Sequence, residues 1–140
     1  MKKKNIIVLS IVGVIVILAV IASIILFAPK RLTSLVPTEN IASVSLEPRG
    51  YIQFEYGTVI ELTGETKDAC IKEIQNGRYK YRFVDYLLGA TLLCNIQYND
   101  GTKIVIANNG VIRFYDAEGE LVKFQKIYLL ADFDQFVPSE

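Results

Sequence analysis

The feature that most constrains this chain is an uninterrupted apolar run near its N-terminus. Residues 6–28 contain no charged side chain, and only Ser10, Gly13 and Ser23 interrupt the large or methyl-bearing apolar residues. A helix of this length extends roughly 34 Å at about 1.5 Å per residue, which is enough to cross a hydrocarbon core of about 30 Å. A buried helix of a soluble domain would carry a polar stripe at helical period, and this run has none. We therefore expect residues 6–28 to contact a lipid bilayer.

Basic residues on both sides of the run predict its orientation. Three lysines occupy residues 2–4, and Lys30 and Arg31 follow the run. Because positive charge is retained on the cytoplasmic side, the larger N-terminal cluster favours a cytoplasmic N-terminus. Residues 1–31 would then form a basic flank and a single-pass signal-anchor in the plasma membrane, with the rest of the chain extracytoplasmic.

A cleaved secretory signal peptide is the main alternative. The basic start fits it equally well, but the apolar run exceeds the usual length of about 7–15 residues. A candidate processing site at residues 20–22 lies inside the run, so cleavage there would remove residues 1–22. Cleavage after Ala28 is disfavoured by Pro29. These features favour a retained anchor.

The charge of the remaining chain argues against nucleic acid as a partner. Residues 32–140 contain 10 Lys and Arg against 15 Asp and Glu, a formal charge of −5. A nucleic-acid-binding surface needs basic residues that displace counterions from phosphates. The basic and aromatic residues of 78–83 alternate, which indicates a half-buried strand rather than a platform for stacked bases.

The chain has no histidine, which narrows the chemistry available to it. A Ser-His or Cys-His nucleophile pair cannot be built without one. The acidic turn at residues 116–120 lacks the spacing of a calcium-binding helix-loop-helix, and the isolated glycines form no phosphate loop. We therefore predict no catalytic, cofactor or metal site and no enzyme activity. An acid-dependent hydrolase would need two carboxylates facing one cleft.

Two cysteines are the remaining reactive groups. Cys70 and Cys94 are 24 residues apart, a spacing that matches no zinc pattern. Outside the cytoplasm they are a candidate disulfide, whereas two buried thiols acting as small apolar residues fit the sequence equally well.

Strand patterns dominate residues 41–140, which we take as the extracytoplasmic domain. Residues 32–40 carry turn-forming residues between prolines and predict a short tether. Alternating or β-rich segments predict strands at 42–46, 51–56, 58–62, 79–86, 91–98, 103–107, 111–115 and 121–128. Asn-Asp-Gly and Asn-Asn-Gly sequences mark tight hairpins between later strands.

One segment of the domain has a helical period instead. In residues 63–77, Cys70, Ile71 and Ile74 share one face, and an Asn-Gly pair follows as a stop signal. The spacing of apolar residues from 129 to 136 also leaves room for a short C-terminal helix. The sequence therefore predicts an α+β fold, in which a transmembrane helix precedes an antiparallel β-meander with one packed helix.

With no chemistry evident, we expect a protein-interaction module of a bacterial envelope, and its partner would be another envelope protein. The bacterial source is a hypothesis from a composition rich in Ile, Lys, Asn and Tyr and free of Trp and His. The alternative is a carbohydrate- or wall-polymer-binding domain that uses exposed tyrosine rings. Its candidate glycan contacts are Tyr51, Tyr79, Tyr81 and Tyr86.

Overall fold

The computed structural model describes residues 2–83 and 88–139 and contains two α-helices and eight strands. The elements in chain order are α1 (Lys3–Phe27), β1 (Lys30–Arg31), a 3₁₀ turn (Leu32–Ser34), β2 (Ile41–Pro48), β3 (Ile60–Leu62), α2 (Gly64–Asn76), β4 (Arg78–Tyr81), β5 (Leu92–Tyr98), β6 (Lys103–Ala107), β7 (Val111–Tyr115), β8 (Leu121–Leu130) and a 3₁₀ turn (Asp134–Phe136). The predicted fold class is confirmed: a long apolar helix precedes an α+β domain with an antiparallel sheet and one packed helix.

α1 has the length and composition of a membrane span. It is 25 residues long with a mean hydropathy of 3.2, and none of its residues is buried by the rest of the chain. An anchor and a signal sequence share these properties. A helix that is apolar all round, and that has no residue buried by its own chain, needs an apolar surrounding.

α2 forms where the sequence period changes from two to 3.6. Its buried residues are Cys70 and Ile74, which are one helical turn apart, so the predicted inward position of Cys70 is confirmed. Glu65 lies in the first turn, where a carboxylate stabilises the helix dipole. The helix ends at Gly77, whose N–H donates to the carbonyl oxygen of Ile74.

All eight strands form one sheet in the order β1-β4-β8-β7-β6-β5-β2-β3. β5 to β8 are a meander joined by tight hairpins, as predicted. A meander of all the strands after α2 would place β4 beside β5, whereas β4 pairs with β8 and β1. Its buried Tyr79 lies opposite Leu129 of β8, so that β4 extends the sheet over the outer end of the core.

One hairpin requires glycine for two reasons. Gly110 adopts a φ of +92°, and a Cβ at this position would collide with the carbonyl oxygen of Ile127. The Ile127 N–H donates to the carbonyl oxygen of Gly110 at 2.9 Å. The turn between β6 and β7 is therefore fixed against β8.

The main core lies on one face of the sheet, which we call the covered face. α2, Leu32, Val36 and Phe133 pack on it. The strand side chains that complete this core are Val44, Leu46, Leu62, Tyr79, Leu92, Cys94, Ile96, Tyr98, Ile104, Ile106, Ile112 and Ile127. In β5, the buried face is the one that the alternation predicted.

Residues 32–40, for which the sequence predicts a tether, are built into this core. Leu32 and Val36 are fully buried, and the Leu32 N–H donates to the carbonyl oxygen of Gly77. The hydroxyl of Tyr98 donates to the carbonyl oxygen of Pro37 at 2.7 Å. The turn-forming residues hid this role. The Val36 N–H donates to the carbonyl oxygen of Leu32 at 2.9 Å, and this single helical turn places the two apolar side chains on the same side.

Three predicted elements have different limits in the structure. Residues 51–56 form successive turns instead of a strand, with the Phe54 N–H donating to the carbonyl oxygen of Tyr51. Gly57 in the left-handed region ends this loop, and Ile52 is fully exposed, so the alternation there does not mark a buried face. β4 ends at Tyr81, and residues 84–86 of the predicted strand lie outside the described residues. The C-terminal helix is a single 3₁₀ turn because β8 extends to Leu130.

Candidate interaction surface

The second face of the sheet, which we call the open face, has no helix packed on it among the described residues. Strand alternation places on it every second residue of the four strands from β4 to β6 in the sheet order. These side chains are Arg78 and Lys80 of β4; Val122, Phe124, Lys126, Tyr128 and Leu130 of β8; Val111, Arg113 and Tyr115 of β7; and Lys103, Val105 and Ala107 of β6.

Exposed apolar side chains lie on both sides of Lys126 along β8 on the open face, and we call them the apolar strip. Val122, Phe124, Tyr128 and Leu130 expose 67%, 57%, 45% and 48% of their surface. β8 lies between β7 and β4, and three of these four side chains lie opposite a basic residue of those strands. Large apolar side chains that are adjacent and exposed commonly mark a binding surface.

Positive charge surrounds this strip. The strands β4 to β8 contain six basic residues, and no Asp or Glu lies within their described bounds. Arg113 lies directly opposite Phe124, Lys80 opposite Tyr128, and Arg78 opposite Leu130. The open face is therefore basic although the domain as a whole is acidic.

Cations and aromatic rings are stacked on the same face. The guanidinium of Arg82 lies 5.5 Å from the ring centre of Tyr128 and donates to the carbonyl oxygen of Asn109 at 3.1 Å. The ammonium of Lys103 lies 5.0 Å from the ring centre of Tyr115. Such stacking holds the long side chains against the sheet while their charges face solvent.

A small apolar cluster supports the open face toward β5. Leu93, Val105, Ala107 and Val111 are buried there, with Ala90 and Tyr115 packed against them. The segment that leads into β5 is fixed by Asn108, which accepts the N–H of Thr91 and donates to its hydroxyl. This half of the face is closed, so the exposed strip is confined to β8 and its neighbours.

The other side of the molecule carries charges of both signs. α2 carries Glu65, Asp68 and Glu73 together with Lys67 and Lys72, and the C-terminal segment carries Asp132 and Asp134. The carboxylate of Glu73 accepts the N–H of Asp132 at 2.9 Å, which ties the C-terminal segment to the helix. These two elements therefore have an excess of carboxylates, whereas the charged strand residues of the open face are all cations.

The predicted glycan-binding tyrosines do not form a common surface. Tyr79 is buried in the core, and Tyr81 is about one-third exposed beside Lys30 at the outer edge. Tyr51 follows β2, which four strands separate from β4 in the sheet order. Tyr86 lies outside the described residues.

Tyr51 instead links two loops. Its hydroxyl donates a short hydrogen bond to the carboxylate of Asp134. Burial, the hydrogen bond to Asp134 and the negative charges of Asp134 and Asp132 raise the pKa of Tyr51 to about 12. The residue connects the loop after β2 to the C-terminal segment.

Both cysteines are free thiols at the centre of the core. Cys70 on α2 faces Cys94 on β5, and the pKa of the Cys94 thiol is raised by its hydrogen bond with Cys70 and by burial. The arrangement brings the two sulfur atoms together, and the disulfide stays a prediction.

Two cavities lie elsewhere on the domain. One of about 620 Å³ lies between β3, the start of α2 and the C-terminal segment, with Glu61, Glu65 and Phe136 in its lining. Another of about 370 Å³ lies beside Tyr98 and Asp100. Two hydrogen bonds from Thr102 lower the pKa of Asp100, which caps the β5–β6 hairpin. Among the described residues, no group of three His, Cys, Asp or Glu side chains is placed to hold a metal ion.

The chain matches no protein-family model, no curated protein and no solved structure. Its own geometry assembles a sheet face with apolar, aromatic and basic side chains. Sequence reasoning missed this face, because β8 (LVKFQKIYLL) carries apolar residues on both sides and its exposed side cannot be told from the pattern. The absence of acidic residues from consecutive strands was the signal that could have indicated it.

Proposed function

We propose that this protein is a membrane-anchored interaction module of a bacterial envelope. α1 crosses the plasma membrane with its N-terminus in the cytoplasm, and the extracytoplasmic domain binds an acidic, partly apolar segment of another envelope protein through the open face. The observation that carries the proposal is the exposed β8 strip enclosed by basic side chains.

The composition of the strip supports a protein partner. Protein interfaces combine aromatic and arginine side chains at their centre with a polar rim, and Phe124, Tyr128 and Arg113 supply these groups. A partner with carboxylates around an apolar anchor would pair with the cations while it covers Phe124. Charge complementarity of this kind speeds association and excludes basic competitors.

Glycan binding has less support than protein binding. A sugar platform needs several exposed rings in one groove, whereas Tyr79 is buried and the hydroxyl of Tyr51 is bonded to Asp134. Tyr81 is the exposed ring of the three, and Lys30 occupies one side of it. The proposed function is binding without catalysis, because the residues that carry it only contact the partner.

Site-specific photocross-linking in the cells that make the protein tests the binding face. A photoreactive residue replaces Phe124 in the full chain, and a matched variant carries it at Ile52, which is fully exposed in the loop after β2. We expect one defined adduct from position 124, with the linked partner peptide rich in Asp and Glu, and no such adduct from position 52. Identical adducts from both positions, or a partner segment without acidic residues, would refute the assignment.

Charge reversal tests the role of the cations. Arg113→Glu beside Phe124 should reduce the adduct at least tenfold, since like charges across an interface cost about 1.4 kcal/mol or more. Lys72→Glu makes the same charge change on the exposed side of α2 and should leave the adduct unchanged. Equal adduct yields in the two variants would remove the electrostatic part of the proposal.

Topology has its own test. Protease added to intact cells from which any outer barrier has been removed should digest the domain and spare α1. A domain that survives this treatment, but not treatment after the membrane is permeabilised, would place it in the cytoplasm and contradict the proposed orientation.

A further inference from the structure

We infer that the edge formed by β1 and β4 lies on the bilayer surface beside α1, with the ring of Phe83 in the interfacial region and Lys30 and Arg31 against anionic lipid headgroups. The inference rests on the anchoring role of α1 proposed above. It adds a second membrane contact, made by the folded domain itself, to the contact made by residues 6–28.

The connection between the anchor and the sheet is too short for a separate stalk. α1 ends at Phe27 and β1 begins at Lys30, so only Ala28 and Pro29 intervene. Three residue steps span at most about 11 Å even when fully extended. β1 is hydrogen-bonded into the sheet, with Lys30 opposite Tyr79 and Arg31 opposite Arg78. The sheet edge must therefore lie next to the point where α1 leaves the hydrocarbon core.

An aromatic contact places a residue of the domain at the depth of the anchor's end. The rings of Phe27 and Phe83 have centres 5.1 Å apart and are tilted by 55°. The exposed fraction is 58% for Phe83 and 59% for Phe27. Because Phe27 is the last helical residue of the apolar run, an interface that covers Phe27 also covers Phe83. An apolar ring beside the end of the span is stabilised by burial at the boundary between acyl chains and headgroups.

Lys30 lies at the same depth, on the side of the polar headgroups. The ammonium of Lys30 donates to the carbonyl oxygen of Ile25 at 2.9 Å and lies 4.5 Å from the ring centre of Tyr81. It thus satisfies a carbonyl at the end of α1 while its charge stays at headgroup depth, as lysines at membrane boundaries do.

The charges of this edge fit an anionic bilayer. Lys30 and Arg31 of β1 lie beyond β4 and outside the strip on β8, whereas Arg78 and Lys80 lie between the two surfaces. The charged residues of β1 and β4 are Lys30, Arg31, Arg78 and Lys80, and the two strands carry no carboxylate within their bounds. The net charge of the domain, which is negative, conceals this local excess. Basic residues beside a transmembrane helix gain affinity from anionic lipid because they lie within a Debye length of the surface. Because this edge follows directly from α1, we assign the bilayer as the surface that it contacts.

The chain contains no tryptophan, so single-tryptophan variants report their own depth. The full chain with Phe83→Trp is placed in lipid nanodiscs that contain phosphatidylglycerol, with and without brominated acyl chains. Bromine quenches indole emission only at close range. We expect the Phe83→Trp variant to lose about half of its emission in brominated lipid, as interfacial aromatic residues should. Ile52→Trp, a solvent-exposed control, should lose almost none.

Tyr81→Trp provides a second reporter at the same edge, and far-UV circular dichroism identifies any variant that fails to fold. Emission of the folded Phe83→Trp and Tyr81→Trp variants that is unchanged by brominated lipid would overturn the inference. Cross-links from Phe124 to a protein partner would be unaffected by that result, so the two proposals fail separately.

The headgroup contact is tested by reversing its charges. In the Phe83→Trp background, Arg31→Glu with Arg78→Glu should at least halve the quenching in phosphatidylglycerol, because two attractive contacts become repulsive. Lys72→Glu should not change it. Quenching that is equally strong after the reversal would overturn the assignment of Arg31 and Arg78 to anionic headgroups, with Phe83 still placed in the interface.

Discussion

The two faces of the same sheet differ in what covers their apolar side chains. On the covered face, residues such as Ile96 and Ile106 are fully buried under α2 and the segment that contains Leu32 and Val36. On the open face, Phe124 and Val122 remain more than half exposed. The strands contribute apolar residues to both, so burial and not composition separates the face that folds the domain from the face left for binding.

Charge sharpens this contrast. The layer on the covered face carries more carboxylates than cations, whereas the open face presents only cations around its apolar strip. A helix packed over β8 would have to bury these cations, which is costly without partners. The basic residues therefore disfavour packing of the protein's own elements on the open face, which is the face proposed to bind an acidic partner.

The strongest test of the comparison is a matched pair of truncations. Ile96→Ala on the covered face should lower the free energy of unfolding by about 3–4 kcal/mol, because it removes buried methylene groups and leaves a cavity. Phe124→Ala on the open face removes a larger side chain and should cost less than about 1 kcal/mol. Urea unfolding of the full chain in detergent, followed by circular dichroism, measures both. Equal losses would show that β8 is covered in solution.

A pair of glycine substitutions compares a hairpin fixed against the sheet with one that is free. Gly110→Ala should cost about 3 kcal/mol, because a left-handed backbone disfavours a Cβ and the carbonyl of Ile127 must also move. Gly119 has a similar φ of +84° but no neighbour within 4 Å of its Cβ position, so Gly119→Ala should cost only about 1 kcal/mol. Thermal unfolding measures the difference, and a reversed order would place the β7–β8 hairpin in contact with another element.

The buried thiols of the covered face predict that the domain loses stability at alkaline pH. The pKa of Cys94 is raised in the folded state, so the folded chain holds this proton more strongly than the unfolded chain does. The stabilisation is complete below the unfolded thiol's pKa of about 8.5 and decreases above it by up to about 1.4 kcal/mol per pH unit. Urea unfolding of the reduced protein between pH 8 and pH 10 measures this loss.

Cys94→Ser is the control for the alkaline loss, since serine does not titrate in this range. The pKa values of Tyr51 and Tyr98 are also raised, but their contribution begins only near pH 10. A Cys94→Ser variant with the same slope below pH 10 would assign the loss to groups other than the thiol.

The smallest expected effect concerns the loop that borders the covered face. Tyr51→Phe removes the hydrogen bond to Asp134 and should lower the free energy of unfolding by about 1 kcal/mol. Tyr56→Phe alters a tyrosine that is 82% exposed in the same loop and should have almost no effect. Equal unfolding midpoints for the two variants would show that the Tyr51–Asp134 link does not stabilise the domain.

Local sequence signals predicted much of the fold. The period change at residues 63–77 located α2, and Asn-Asp-Gly and Asn-Asn-Gly located two hairpins, because helices and tight turns depend on neighbouring residues. The same signals could not place β4 beside β8 and β1, since strand order is decided by contacts between distant segments. Residues 51–56 alternate as a strand would, yet they form turns because no neighbouring strand pairs with them.

The site was less predictable than the fold. The prediction of a glycan-binding surface required exposed rings at Tyr51, Tyr79 and Tyr81. The exposure of a tyrosine depends on what packs over its strand. The importance of Phe124 and Arg113 arises from their pairing across β7 and β8, which no single segment encodes. The short link between α1 and β1 was similarly hidden, because Lys30 and Arg31 read as membrane flank and not as strand.

The pairing of β1 with β4 also has a consequence for the order of synthesis. Arg31 emerges next to the membrane, whereas its partner Arg78 is made about fifty residues later. At a synthesis rate of roughly 5–20 residues per second, Arg78 is added about 3–10 s after Arg31. Throughout that interval Leu32 and Val36 have no core to enter. In the proposed topology, the nearest apolar phase is the bilayer around α1, which would tie the first stage of folding to the membrane.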